Sequence, residues 1–465
     1  MNTVVHWFRQ DLRLANNPAL TAAARAGTVL PVFILDDEAA GAWRHGSASR
    51  WWLYHSLSAL NQSLSGRLCC FRGAPQRVFT HLQQHLNIAG IYWNRCYEPW
   101  RRQRDSQLKS TLRGQGLTVH SDNGSLLWEP WQVVKADGTP YRVFTPFYQR
   151  GCRHAPAPTP PLPAPELRLA ETVPGASFET LPLLPDIPWY QTLAPHWQIG
   201  ETGAQAALRH FLQQGLPLYQ AERDFPACQA VSRLSPHLHF GELSPGQIWQ
   251  AVSEVAPDDK VEAFRRELVW REFSHNLLYH FPELPECNWQ SKFDAFPWRQ
   301  DKEALALWQR GQTGIPWVDA GMRELWQTGF MHNRVRMITA SFLVKNLLID
   351  WREGQRWFWD CLVDADLANN SAGWQWVAGS GADAAPYFRI FNPVLQARKF
   401  DAQGHYIRRF VSELSRLPDR FLAAPWEAPA DVLRAAGVTL GQTYPRPMVD
   451  LSASRQAALD AFKTL

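Results

Sequence analysis

Three segments of this chain gather residue types that can hold a planar polar ligand and move a proton or an electron. In VEAFRRELVWREFSHNLL, helical spacing puts Glu267, Trp270, Arg271 and Ser274 on one face, while Phe264, Leu268 and Leu278 can face a core. A carboxylate, an indole and a guanidinium then share one surface, which suits stacking on a ring and fixing its polar edge. Read alone, the same pattern is an amphipathic helix with solvated charges and an edge Trp. In MHNRVRMITASFLVK, Asn333 and Met337 lie at i and i+4 with Arg334 and Arg336 beside them. Positive charge next to a thioether suits a phosphate-bearing aromatic ligand. Packing with snorkelling arginines accounts for that helix equally well.

The third segment, DADLANNSAGWQWVAGSGADAAPYFRIFNP, sets Asp364, Asp366, Asn369 and Asn370 ahead of Trp374 and Trp376. Each buried amide or carboxylate costs about 1–3 kcal/mol unless paired, so this density fits the wrapping of a polar, planar ligand better than a core. A metal site is disfavoured, because no His or Cys stands at ligand spacing and hard-cation loops want more oxygens. Upstream, Ser232, Arg233 and Ser235 precede Pro236, a residue suited to the first turn of a helix whose free amides can meet a phosphate. An ordinary Ser cap is the simpler account of that step.

These residues need elements to position them. Up to about residue 130, short β-branched runs at 4–8, 28–35, 67–73, 90–94 and 117–121 alternate with amphipathic stretches such as RWWLYHSLSALNQSL, which predicts an α/β domain with a parallel sheet. Neither GxGxxG nor GxxxxGK[ST] follows the first run, so the usual phosphate cradles are missing. Residues 131–200, Pro-rich from His154, are expected to be an interdomain linker. Residues 201–465 carry three- and four-residue apolar spacing and predict a mostly α-helical domain.

Composition sets the outer limits. The 465 residues carry 47 Lys plus Arg against 43 Asp plus Glu, so the chain can bury several cores and its net charge of +4 does not by itself announce a nucleic-acid partner. No apolar run approaches the ~18 residues of a membrane span. The start, with Arg9, Asp11 and Arg13, does not read as a secretory signal, and the cytoplasm is the expected compartment. Seven scattered Cys predict reduced thiols, and 23 Trp exceed what packing alone calls for.

Taken together, RELVWREF, the long stretch TGIPWVDAGMRELWQTGFMHNRVRMITASFLVKNLLIDWREG and NNSAGWQWVAGSGADAAPYFRIFNP closely resemble the DNA photolyase and cryptochrome family, and within it the class I cyclobutane pyrimidine dimer photolyases of bacteria. The likeness runs from WFRQDLRL to FDAQGHYIRRF. It implies a deoxyribodipyrimidine photo-lyase in which light drives an electron from reduced, anionic FAD to a flipped-out thymine dimer. By the same likeness Tyr219, Val231, Ser232, Arg233, Leu234, Ser235, Arg336, Asp364, Asp366 and Asn370 contact the flavin, with Asn370 beside its N5. Glu267, Trp270, Asn333, Met337 and Trp376 join Asn370 in the catalytic pocket. Arg223, Glu267, Trp270, Arg271, Ser274, Asn333, Arg334, Arg389, Gln396 and Lys399 are implied at the DNA surface, and Trp374, Trp351 and Trp298 as an electron path. A protonated Glu267 would share a hydrogen bond with the dimer radical anion.

The departures from the family pattern are informative. Asn333 and Met337 stand where (6-4) photolyases carry histidines, which argues for cyclobutane dimers. Val231 replaces a Thr in the flavin-phosphate segment. The stretch YEPWRRQRD lacks the Asn-Glu pair of folate-binding relatives and looks more like the deazaflavin branch, with His45 and Arg50 as candidate antenna contacts. The second chromophore is therefore expected to be a deazaflavin or methenyltetrahydrofolate. The expected partner is DNA containing cyclobutane dimers, with no membrane and no obligate protein partner, and the expected state is a monomer. The rival on the same fold is a cryptochrome-type blue-light photoreceptor, which the lack of a long tail after Leu465 disfavours. A more distant rival is an α/β nucleotide-binding protein whose helical half dimerises it.

Overall fold

The computed structural model describes residues 2–173, 176–255, 258–384 and 388–465, which form two compact units. The first comprises Met1–Pro217, Ser232–Pro282 and Val363–Ala368, and the second Leu218–Val231, Glu283–Leu362 and Asn369–Leu465.

In the first unit, β1 (Thr3–Phe8), β2 (Thr28–Leu35), β3 (Cys69–Arg72), β4 (Ile88–Asn94) and β5 (Thr118–Asp122) form one parallel sheet in the order β3-β2-β1-β4-β5. β1 is central, with Val5 opposite both Leu30 and Ile91. Its nearly continuous apolar run reflects burial on both faces, as parallel strands require. The two-residue period sends Val4 and Phe8 to a cluster with Trp52 and Leu57, while Val5 and Trp7 join Phe79 and Trp93 on the other side. Strand order reverses at β1, so a cleft opens at the carboxyl ends of the strands.

The expected linker does not behave as one. Leu169 bridges to Val29 at the sheet, Ala176 accepts from the Cys70 amide, and Phe178, Leu181, Leu183 and Leu193 enter the core cluster around Trp52. Proline denies this stretch regular ladders, yet its leucines and aromatics still gain by burial. Residues 232–282 also belong to the first unit, so the expected boundary at 200 is corrected as well. They include the helices Pro245–Val255 and Asp258–His280.

Regular structure in the second unit is helical among the described residues, with Pro316–Thr328, Asn333–Ser341 and Trp351–Cys361 at its centre. Its core is rich in indoles. Trp308 and Phe358 both pack against Trp374, at 6.2 and 4.9 Å between ring centroids. One α/β unit with a parallel sheet and one helical unit make up the expected fold class.

Candidate functional site

The candidate residues fall in both units. In the first, helix Asp258–His280 buries Phe264, Leu268 and Leu278 as its pattern predicts, leaving Glu267, Trp270 and Arg271 half-buried. Trp270 lies flat on Phe144, with centroids 3.8 Å apart and planes 4° apart, and Phe273 meets it edge-on. Such contacts hold an indole in one orientation. Arg271 donates to the Ser125 carbonyl (2.8 Å) and lies 3.3 Å from Glu272. The buried Ser274 hydroxyl donates back to the Trp270 carbonyl (3.0 Å). Glu272, absent from the sequence reading, accepts from the amides of Leu127 and Trp128, and burial nevertheless pushes its carboxyl up to about 7.

The segment 232–235 turns sharply. Arg233 has φ +53°, in the left-handed region, and its guanidinium lies 4.3 Å from the Trp197 ring centre. Leu234 is buried, and its amide donates to Ser232 Oγ (3.4 Å). Ser235 opens the short helix Ser235–His239 with Pro236 in its first turn, but its hydroxyl does not cap that helix. It donates instead to Asp364 Oδ2 (2.6 Å). Asp366 lies 3.4 Å from His275 Nε2 and 3.7 Å from His239 Nδ1. Burial alone would raise its pKa, yet the two imidazoles hold it well below the usual carboxylate range. Asp366, His239 and His275 line a small chamber with Gln10, Tyr97, Glu98 and Arg271.

In the second unit, Asn333 is exposed at the start of its helix and Met337 is half-buried one turn on. The cap is a residue the sequence reading missed: His332 Nδ1 accepts from the Arg334 amide (3.2 Å). Burial drives His332 down to about 4, so its ring is neutral and able to accept. Arg334 pairs with Asp224 (2.7 Å) and lies over Phe400. Arg336 donates to the Met331 carbonyl (2.7 Å). Tyr219 is buried under Arg223, and Val231 is half-buried. Arg389 and Lys399 are exposed beside Phe391 and Phe400, and Gln396 is half-buried.

Asn370 donates to the Gln355 carbonyl (3.0 Å), and Trp376 is half-buried two turns along the same helix. Trp374 and Trp351 are buried, and Trp298, half-buried against Phe296 at 4.4 Å, is the only one of the three with appreciable exposure. Gly354 makes room for the first indole, since a Cβ there would come 2.0 Å from Trp374 Cη2. Trp351 donates to Asn288 (2.9 Å).

At the carboxyl ends of β1 and β2, Trp7, Arg9, Asp36, Trp43, His45, Trp100 and Arg104 line a second cleft. Burial and the nearby Arg101 push His45 well below its usual range. Arg50 is committed to Asp37 (2.8 Å) and the His45 carbonyl (3.1 Å). The stretch YEPWRRQRD and His45, expected at the antenna site, are part of this lining, while Trp7, Arg9, Asp36 and Trp43 were missed, although WFRQ sets arginine beside indole.

With this geometry in hand, residues 264–464 match the FAD binding domain of DNA photolyase and residues 4–166 match DNA photolyase. A deoxyribodipyrimidine photo-lyase of Agrobacterium fabrum is 50% identical over 472 residues, covering 99% of this chain and 97% of its own. The chain belongs to the DNA photolyase family. That family also contains plant cryptochromes, and cryptochrome-2 of Arabidopsis thaliana is 37% identical over 484 residues, covering 97% of this chain and 77% of its own. A bacterial class III photolyase from Agrobacterium tumefaciens, solved by crystallography, matches with TM-score 0.93 at 48% identity, covering 100% of this chain and 98% of that one. The narrower expectation of class I finds no such support.

Family membership makes this an FAD-binding enzyme of the photolyase type. The donor set suits that cofactor: hydroxyls and a guanidinium at 232–235 match the chemistry of a pyrophosphate, and the carboxylates Asp364 and Asp366 match that of hydroxyl and ring N–H donors. No helix among the described residues is long and apolar enough to cross a membrane.

Proposed function

We propose that the protein repairs cyclobutane pyrimidine dimers in DNA under blue or near-ultraviolet light. The observation that carries this reading is the half-buried Trp270, fixed flat against Phe144 one turn from Glu267. A flipped dimer offers an apolar edge and carbonyls, so a rigid indole can stack on it while a carboxyl group orients it. Glu267 is assigned to the carbonyls, where a shared proton stabilises negative charge as it develops. Asn333, Met337 and Trp376, in the second unit, are assigned to the same lesion. The amide and thioether of Asn333 and Met337, in place of two histidines, support cyclobutane dimers over (6-4) products.

When bound, reduced FAD supplies the photoexcited electron. Tyr219, Val231, Ser232, Arg233, Leu234, Ser235 and Arg336 are assigned to binding it, and Asp364 and Asp366 would accept from its hydroxyl and ring donors. Asn370, whose amide nitrogen is tied to the Gln355 carbonyl, would offer its neutral side-chain oxygen to N5 and add no charge there. Arg223, Arg271, Ser274, Arg334, Arg389, Gln396 and Lys399 are assigned to the DNA surface. Arg271 and Ser274 serve it by fixing helix Asp258–His280, since their polar groups are bonded inside the unit. The cleft around His45 is assigned to the second chromophore. Kinship with the class III enzyme favours that branch over class I.

The likeness to plant cryptochromes supports a second reading, a blue-light receptor. The two separate on oligonucleotides carrying either one cyclobutane dimer or one (6-4) product, illuminated with the reduced holoprotein. Our reading expects loss of the first lesion only. Repair of neither leaves the receptor, and repair of the (6-4) product alone overturns the assignment of Asn333 and Met337.

A further inference from the structure

The far end of helix Asp258–His280 carries a surface with no part in the site above. Trp131 is 46% exposed and its ring centre lies 5.7 Å from that of Tyr279. The Arg95 guanidinium stands 5.8 Å from the Trp131 ring, and that of Arg102 lies 3.6 Å over Tyr279. Arg102 also donates to the Tyr279 carbonyl (2.6 Å), which fixes it there. Beside these rings runs a groove lined by Lys135, Thr139, Pro140, Arg142, His280 and Phe281, with Arg142 5.5 Å over Phe281. Tyr279 follows Trp270 by nine residues, about 13 Å along the helix axis, so this surface is separate from the stack on Phe144.

Its cations outnumber its carboxylates. Glu129 is buried and bonded by Arg95 and Tyr97, and Asp137 accepts from the amide and hydroxyl of Thr139 in its own turn. Four cations, Arg95, Arg102, Lys135 and Arg142, therefore stand beside these rings against two carboxylates, one of them paired with Arg95, which leaves a positive excess. An open indole next to a positively charged groove is the combination that binds single strands, whose unpaired bases stack while the backbone follows the cations. A duplex hides its base faces and gains only the charge.

From this we infer that the surface binds lesion-free single-stranded DNA, with bases stacked on Trp131 and Tyr279 and phosphates passing Arg102, Lys135 and Arg142. The inference does not depend on which lesion the enzyme repairs.

Fluorescence anisotropy of labelled lesion-free oligothymidine with the full-length holoprotein tests it. Trp131→Ala should weaken single-strand binding by about fivefold or more, and Trp131→Phe should restore most of it. Lys135→Ala with Arg142→Ala should flatten the log–log salt dependence by about 0.7 per charge removed. Duplex of equal length should respond to the double variant alone, and flavin absorbance should be unchanged in every variant. Single-strand affinity of Trp131→Ala equal to wild type would overturn the inference. So would a Trp131→Ala loss of the same size on duplex, or a Trp131→Phe protein as weak as the Ala variant.

Discussion

Trp270 and Phe144 form a parallel ring pair, 3.8 Å between centroids, across 126 positions of sequence. The stack presents one face of the indole and backs the other. Trp270→Ala should weaken binding of dimer-containing DNA by about 1–3 kcal/mol while FAD stays bound. Phe144→Leu should give a smaller loss by freeing the indole. Loss of FAD and unfolding in Trp270→Ala would instead make Trp270 a packing residue.

Glu272 couples folding to pH. Its carboxyl is raised from 4.5 to about 7, chiefly by burial, so the folded state holds its proton where the unfolded state does not. The stability this contributes is fully present below about pH 4.5 and is lost as pH rises through 7. Between pH 5 and 8.5 wild type should lose roughly 3 kcal/mol that Glu272→Gln does not lose, a difference read from denaturant midpoints. Parallel pH profiles for the two proteins would contradict the assignment.

Gly354 lies in helix Trp351–Cys361, where Ala would ordinarily stabilise by about 0.5–1 kcal/mol. The sign should reverse here, because the added Cβ meets the buried Trp374 ring at 2.0 Å. Gly354→Ala should cost about 1–3 kcal/mol. A raised melting temperature would show that the indole yields freely.

Trp298 stands at the exposed end of the nominated indole series. Trp298→Phe keeps the ring contact with Phe296 while removing an oxidisable indole. Photoreduction of oxidised FAD with an external donor should slow, and repair by chemically pre-reduced enzyme should persist. Lost repair with reduced flavin would assign Trp298 to structure or DNA contact.

The sheet was legible because β-branched runs between amphipathic stretches leave a parallel strand few alternatives, and each of the five runs contains or overlaps its strand. The buried face of helix Asp258–His280 was legible from its period. What sits opposite that helix was not: Phe144 lies in an irregular stretch, and no local pattern ties it to Trp270. The Ser235 hydroxyl looked like a cap and turned to Asp364, 129 residues away, a choice only the folded chain makes. His332 was passed over as a cap because imidazole is not among the usual capping side chains, and the tautomer and orientation that let its Nδ1 accept are set by the folded chain. The Pro-rich stretch misled because proline content reports the missing ladder and says nothing of the leucines that dock.

The central claim is light-driven reversal of cyclobutane dimers by the flavin-loaded chain. It is tested most directly by following one dimer-containing oligonucleotide by chromatography, with pre-reduced holoprotein in limited blue-light doses and in the dark. The account predicts intact thymines appearing in proportion to dose, none in the dark, and a much reduced yield per photon in Glu267→Ala. Dimers that survive every dose while the flavin remains reduced and the DNA remains bound would contradict it.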